Sequence, residues 1–365
     1  MRAFQFDQHL VDTYARFSRS FASIRADDLR TEVDRQYQAG RFWPDPLLSL
    51  NPRYLPGATV DDLVSTGDLD PATGQVFRAG GAPLRFHQHQ AQAIAKGQAE
   101  QSFVVTTGTG SGKSLCFFVP VVDAIIRARR AGAPRTTRAI IVYPMNALAN
   151  SQIKEIGKFI SQAGLPDDLR PVVRRYTGQE SQEERLAIAA NPPDILLTNF
   201  MMAELLLTRQ DDVDRRVMEN ARGLAFIVLD ELHTYRGRQG ADVAVLVRRL
   251  RNRCAGGKDP LCIGTSATMA SEGTDEGRAI SVANVASRMF GVEIGPDAII
   301  DESLVRATDD DLKLDDIRPL LAGVLSTPLP EKLPDAALRR HPLAVWCELA
   351  LGLDDGRLLR RKKPV

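Results

Sequence analysis

Residues 107–114 read Thr-Gly-Thr-Gly-Ser-Gly-Lys-Ser, a spacing suited to holding a chain of phosphates. The small residues Thr107, Gly108, Thr109, Gly110, Ser111 and Gly112 let backbone N–H groups wrap an anion. Lys113 reaches β- and γ-phosphate oxygens, and Ser114 offers a hydroxyl to Mg2+. The run SFVVT before the loop has strand character, and LCFFVPVVDAII after it is an apolar helix, so a helix N-terminus adds its dipole to the anion site. The strict phosphate-loop pattern has glycine at position 107, where this chain has Thr107.

A pair of acids complements the loop. Asp230 and Glu231 follow the apolar run LAFIVL, and a buried strand ending this way delivers its acids to the carboxyl edge of the sheet, facing the phosphates. Asp230 is suited to holding Mg2+ through water, and Glu231 to polarising an attacking water. Loop and acids together imply binding and hydrolysis of ATP with Mg2+.

The run Asp230-Glu231-Leu232-His233 resembles the second motif of the DExH-box group of superfamily 2 helicases, and Ser266-Ala267-Thr268 resembles the third. The resemblance implies that His233 and the triplet couple the nucleotide site to lobe movement. It also implies that Gln90, with Gln88 as the alternative, reads adenine, and that Pro144 and Asn146, Thr177 and Gly178, and Thr198 and Asn199 contact a nucleic-acid backbone. Taken singly, these short stretches read equally as capped turns.

The segment Thr234–Asp242 narrows the resemblance to the bacterial MrfA and Hrq-like branch, which includes phage-defence helicases. DNA, single-stranded or at a junction with duplex, is the implied partner, and phage defence or DNA repair the implied setting. Arg236 and Arg238 fit a contact with the phosphate tail, a contact with a neighbouring domain, or ordinary surface. The cluster Arg248, Arg249, Arg251 and Arg253 reads as a solvated helix face.

The resemblance covers residues 84–270 and implies a second RecA-like lobe, in cis or in a partner subunit, carrying arginine fingers. No second strand–helix series reads after residue 300. The chain is therefore expected to bind Mg-ATP and to turn it over slowly alone. The alternatives are an ATP-gated adaptor that clamps nucleic acid without turnover, and the lobe of an RNA helicase.

These residues need a frame. Six apolar runs, SFVVTT, AIIVYP, PVVRRY, DILLTN, LAFIVLDE and LCIGTSAT, lack polar alternation and read as strands buried on both faces, with helical segments between them as crossovers. The expected fold is α/β: a RecA-like P-loop domain with a parallel sheet sandwiched by helices, plus helical N- and C-terminal flanks. The expected division is an N-terminal extension over 1–83, the ATP-binding lobe over 84–275, and a helical segment over 276–365 without further strands. Trp43, among prolines, fits a docking element or a packing residue.

Bulk properties narrow the class. The 365 residues carry 47 Lys and Arg against 46 Asp and Glu, a net charge of +1, so any nucleic-acid contact must come from local patches. Cys116, Cys254, Cys262 and Cys347 form no C-x-x-C pair, which favours reduced structural thiols. No stretch approaches the ~20 apolar residues of a membrane span. A cytoplasmic protein without a signal peptide or membrane partner is expected.

Overall fold

The computed structural model describes residues 3–21, 23–45, 47, 50–51, 53–267, 274–327, 333–355 and 359–361. The chain forms two compact units, one of residues 54–304 and one of residues 1–53 together with 305–365.

The larger unit is built on a seven-stranded sheet. Its strands are β1 (Phe103–Thr106), β2 (Ala139–Tyr143), β3 (Val173–Tyr176), β4 (Ile195–Asn199), β5 (Phe226–Leu229), β6 (Leu261–Ser266) and β7 (Ile299–Asp301). Their spatial order is β7-β1-β6-β5-β2-β4-β3, and every pairing is parallel. All six runs read from sequence are strands. β1, β2 and β5 are buried along their length, as Val/Ile/Leu runs covered on both faces must be. β3 is an edge strand, and it carries the exposed charge of Arg174 there.

The helices of eight or more residues in this unit are α1 (Gln88–Gln98), α2 (Lys113–Arg130), α3 (Asn146–Gln162), α4 (Gln182–Ala190), α5 (Phe200–Thr208), α6 (Asp212–Glu219), α7 (Gly237–Cys254) and α8 (Asp275–Phe290). They flank the sheet as crossovers, the RecA-like arrangement. Two of them set the nucleotide site directly. At Gly97 a Cβ would fall 2.5 Å from Cβ of Pro120, so glycine lets α1 press onto α2, the helix that starts at the phosphate loop.

The lobe is wider than the 84–275 span read from sequence. Val60, Leu69, Val76 and Phe77 belong to the same core as β1 and α2. Asp123 of α2, fully buried, accepts from the Asp70 N–H at 2.7 Å and the Thr73 hydroxyl at 2.7 Å. A buried carboxylate needs such donors, and here they tie residues 54–83 to the lobe.

The expected end of strands after residue 275 is also corrected. β7 extends the sheet beyond β1 with Ile300 beside Val105. Three residues show no periodicity, so only their pairing reveals them. Two further short strands, Leu353–Asp355 and Leu359–Arg361, pair antiparallel in the other unit.

In that smaller unit the helices Ala3–Ser20 and Asp27–Gln38 are joined by an Arg19–Asp34 ion pair and by the Ser18 and Tyr37 hydroxyls at 2.9 Å. Trp43 packs its ring 5.1 Å from that of Tyr14, a packing role within the unit. Ile317, Val345 and Leu349 form a separate small core. Among the described residues no helix is long and apolar enough to cross a membrane.

Candidate active site and nucleic-acid edge

The phosphate loop leaves β1 at Thr106 and enters α2 at Lys113. Gly112 adopts φ +71°, and a Cβ there would fall 2.6 Å from Nε2 of Gln90, so both backbone and space demand glycine. Thr107 is explained by its neighbour: its hydroxyl lies 2.6 Å from that of Ser111, and both residues are buried. The side chain that breaks the strict pattern thus ties the two ends of the loop together. Thr109 and Gly110 are exposed at the tip. Lys113 folds back to donate to the carbonyls of Thr107 at 3.1 Å and Gly108 at 3.4 Å, which holds its charge inside the loop. Ser114 stands half-buried in the first turn of α2.

α1 braces the loop from behind. Gln90 donates from Nε2 to the carbonyls of Gly112 at 2.9 Å and Ser111 at 3.3 Å, and its Oε1 accepts from the His87 N–H at 2.8 Å. Its amide is thus engaged with backbone on both sides, while Gln88 stands half-buried at the start of α1. His89 bonds the Ser111 carbonyl through Nε2 at 3.0 Å; a carbonyl only accepts, so that nitrogen carries the proton. Burial pushes His89 down to about 4, so it is neutral near pH 7.

A residue that sequence reading missed completes the loop's surroundings. Glu302, just past β7, accepts from the Gly108 N–H at 3.2 Å. The signal that would have found it is a seventh strand beside β1, which three residues cannot announce.

Asp230 leaves β5 buried at the carboxyl edge of the sheet. The Thr265 hydroxyl of β6 donates to its carboxylate and accepts from the Glu231 N–H at 3.1 Å. Burial pushes the Asp230 carboxyl up to about 6, against the Thr265 hydrogen bond and the charge of Lys113, with Glu231 adding to the rise. Glu231 itself has φ 54° and ψ 54°. That left-handed conformation costs a non-glycine residue roughly 1–2 kcal/mol and turns the second acid away from the strand direction.

His233 closes the set. Its Nδ1 accepts from the Ala267 N–H at 3.2 Å and lies 3.3 Å from the Ser266 hydroxyl and 3.3 Å from Oε2 of Glu231. The Ala267 N–H makes Nδ1 an acceptor, so in the neutral ring the proton is on Nε2, and the approach of Glu231 is not a hydrogen bond. Thr268 lies outside the described residues.

The expected nucleic-acid contacts meet at one edge. Asn199 donates from Nδ2 to Oδ1 of Asn146 at 2.6 Å and to the Thr177 carbonyl at 3.0 Å, which draws three strand-end loops together. Pro144 and Asn146 are half-buried there, and Gly178 is exposed. Two expectations need correction. Thr198 is fully buried and its hydroxyl donates to the Tyr176 carbonyl at 2.7 Å, so it faces no partner. Thr177 is buried too, and Glu180 already accepts from the N–H groups of Thr177 at 2.7 Å and Gly178 at 2.9 Å.

Among the arginines, Arg236 donates to the His233 carbonyl at 2.8 Å and Arg238 is exposed. The solvated face expected of the α7 arginines is corrected in part. Arg248 binds the Arg288 carbonyl at 2.8 Å and Arg251 the Gly291 carbonyl at 2.7 Å, because the C-terminal end of α8 offers unpaired carbonyls and a negative dipole.

A phosphate loop and an Asp-Glu pair on one parallel sheet, with a histidine after the acids hydrogen-bonded to the end of the next strand, define a P-loop NTPase of the helicase kind. The model of the DEAD/DEAH box helicase family matches residues 87–276, and the chain belongs to that family. It is 35% identical over 186 residues to the uncharacterized ATP-dependent helicase YprA of Bacillus subtilis, covering 51% of this chain and 23% of that protein. It is 30% identical over 176 residues to the ATP-dependent helicase HRQ1 of Saccharomyces cerevisiae, covering 46% and 15%. The chain thus spans less than a quarter of either relative. A crystal structure of the DUF1998 helicase MrfA bound to DNA superimposes with a TM-score of 0.53 at 26% identity, over 71% of this chain and 30% of that one.

Proposed function

We propose that this chain is the first, ATP-binding lobe of a DNA-dependent helicase or translocase. The observation that carries the reading is the convergence of the phosphate loop, Asp230 and Glu231 at one sheet edge, with Thr265 bonded to Asp230 and His233 bonded to the Ser266-Ala267 segment. In this reading the N–H groups of the loop and Lys113 bind the phosphates of ATP, Gln90 holds the loop beside the base, and Glu231 orients the attacking water. Asp230 and Ser114 hold Mg2+; an all-oxygen donor set around a buried carboxylate suits a hard cation. When bound, the ion neutralises charge on the phosphate oxygens.

DNA as the partner is favoured by the likeness to the DNA-bound MrfA structure. The edge built by Pro144, Asn146, Gly178 and Asn199 is the surface assigned to its backbone; Asn146 offers its side-chain NH2 there, while the Gly178 N–H is held by Glu180 and the Asn199 amide by Asn146 and Thr177. A second RecA-like lobe, in cis or in a partner subunit, supplies the remaining charge stabilisation, and the setting proposed is cytoplasmic. The test is fluorescence anisotropy with single-stranded DNA and RNA of matched sequence, with and without a non-hydrolysable ATP analogue. Tighter, nucleotide-dependent binding of DNA supports the assignment; equal or tighter binding of RNA overturns the choice of DNA.

A further inference from the structure

Tyr143 is the last residue of β2, and the ladder sets it beside Asp230. Val142 is in register with Leu229, and the Asp230 N–H donates to the Val142 carbonyl at 3.0 Å. On the other side Leu229 is in register with Gly264, which sets Thr265 beside Asp230. Neighbours in register on parallel strands present their side chains on one face, so Tyr143, Asp230 and Thr265 form a row with the carboxylate in the middle.

The two flanks are unlike. Thr265 donates its hydroxyl directly to Asp230. Tyr143 is fully buried and its hydroxyl has no hydrogen-bond partner; Tyr235, five residues after Asp230 and also buried, has a hydroxyl in the same condition. Burial, and then the charge of Asp230, raises both phenols above their ordinary range, so both remain protonated donors. An unmet buried hydroxyl costs about 1–3 kcal/mol. A buried water bonded to both hydroxyls and to the Asp230 carboxylate would remove the penalty.

We propose that Tyr143 is a positioning residue for the metal: its hydroxyl, through a buried water shared with Tyr235, holds the Asp230 carboxylate on the side away from Thr265. The carboxylate is then clamped from both sides before a divalent cation arrives. This rests on the reading of Asp230 as the metal carboxylate. Removing an outer partner of a metal ligand lowers metal affinity by roughly 10–100-fold, and a water-mediated contact belongs at the lower end of that range.

The test measures Mn2+ binding to the chain with ADP, from the free-ion signal in electron paramagnetic resonance, for wild type, Tyr143→Phe, Tyr235→Phe and Asp230→Asn. ADP affinity in EDTA and the metal-free unfolding temperature are measured beside it. The expected result is a loss of Mn2+ affinity of about tenfold in Tyr143→Phe, a smaller loss in Tyr235→Phe, and ADP affinity in EDTA unchanged. Wild-type Mn2+ affinity in both Phe variants overturns the proposal; a raised unfolding temperature would then mark the hydroxyls as unpaired. Should Asp230→Asn keep wild-type Mn2+ affinity, the underlying assignment of Asp230 fails. If it loses Mn2+ while both Phe variants do not, only the role of Tyr143 fails.

Discussion

The main-chain N–H of Ala267 lies 3.2 Å from Nδ1 of His233, a contact that joins the end of β6 to the turn after β5. It occupies the nitrogen that Oε2 of Glu231 approaches at 3.3 Å. A shift of the Ser266-Ala267 segment therefore changes what His233 offers to Glu231.

Replacing His233 by alanine is expected to leave ATP affinity within about twofold, because no phosphate-binding group is touched, while kcat falls at least about tenfold through loss of a transition-state contact. Steady-state kinetics in a protein carrying both lobes separates the two. A raised KM with kcat unchanged would contradict the coupling role.

Gly112→Ala is expected to weaken nucleotide binding more than about tenfold and to destabilise the lobe by roughly 1–2 kcal/mol from backbone strain alone. The new Cβ would also displace Gln90 Nε2 from 2.6 Å. Binding of a fluorescent ADP analogue and thermal unfolding check both effects.

Thr107→Gly restores the strict phosphate-loop pattern, and it is expected to harm the protein. The buried hydroxyl pair with Ser111 is lost, about 1 kcal/mol, and added glycine freedom in the unfolded chain lowers stability further. Thermal unfolding of the variant checks the sign; a rise in stability would contradict the structural account of Thr107.

Asp230→Asn is expected to stabilise the metal-free protein while removing the turnover of a protein carrying both lobes. The folded pKa of Asp230, about 6, lies above its ordinary 3.8. Its stability contribution is therefore full below about pH 4 and is lost as pH rises through about 6. Two units correspond to at most roughly 3 kcal/mol, reduced by the weakened Thr265 hydrogen bond. Unfolding of wild type and variant in EDTA should differ most above pH 6 and converge towards pH 4.

The sheet and the nucleotide site were legible because they are local. Unbroken apolar runs declare buried strands; Gly110 and Gly112 lie in the loop after β1, Lys113 and Ser114 in the first turn of α2, and Asp230 and Glu231 directly after β5. What stayed hidden depends on pairing between distant segments. Ile299–Asp301 is too short to show a period, so β7 and with it Glu302 went unseen. Thr198 matched a backbone-contacting pattern, but only the fold shows its hydroxyl turned inward to Tyr176. Tyr143 stood inside the apolar run AIIVYP, yet its place beside Asp230 is a property of the register between β2 and β5.

The most direct measurement is ATP binding and steady-state hydrolysis by this chain alone, with and without single-stranded DNA, beside Glu231→Gln. The account predicts that nucleotide binds equally to both proteins and that turnover is negligible in each, rising only when a second lobe is supplied. Robust DNA-stimulated turnover by the isolated chain, abolished by Glu231→Gln, would contradict the half-site; failure to bind nucleotide would contradict the site itself.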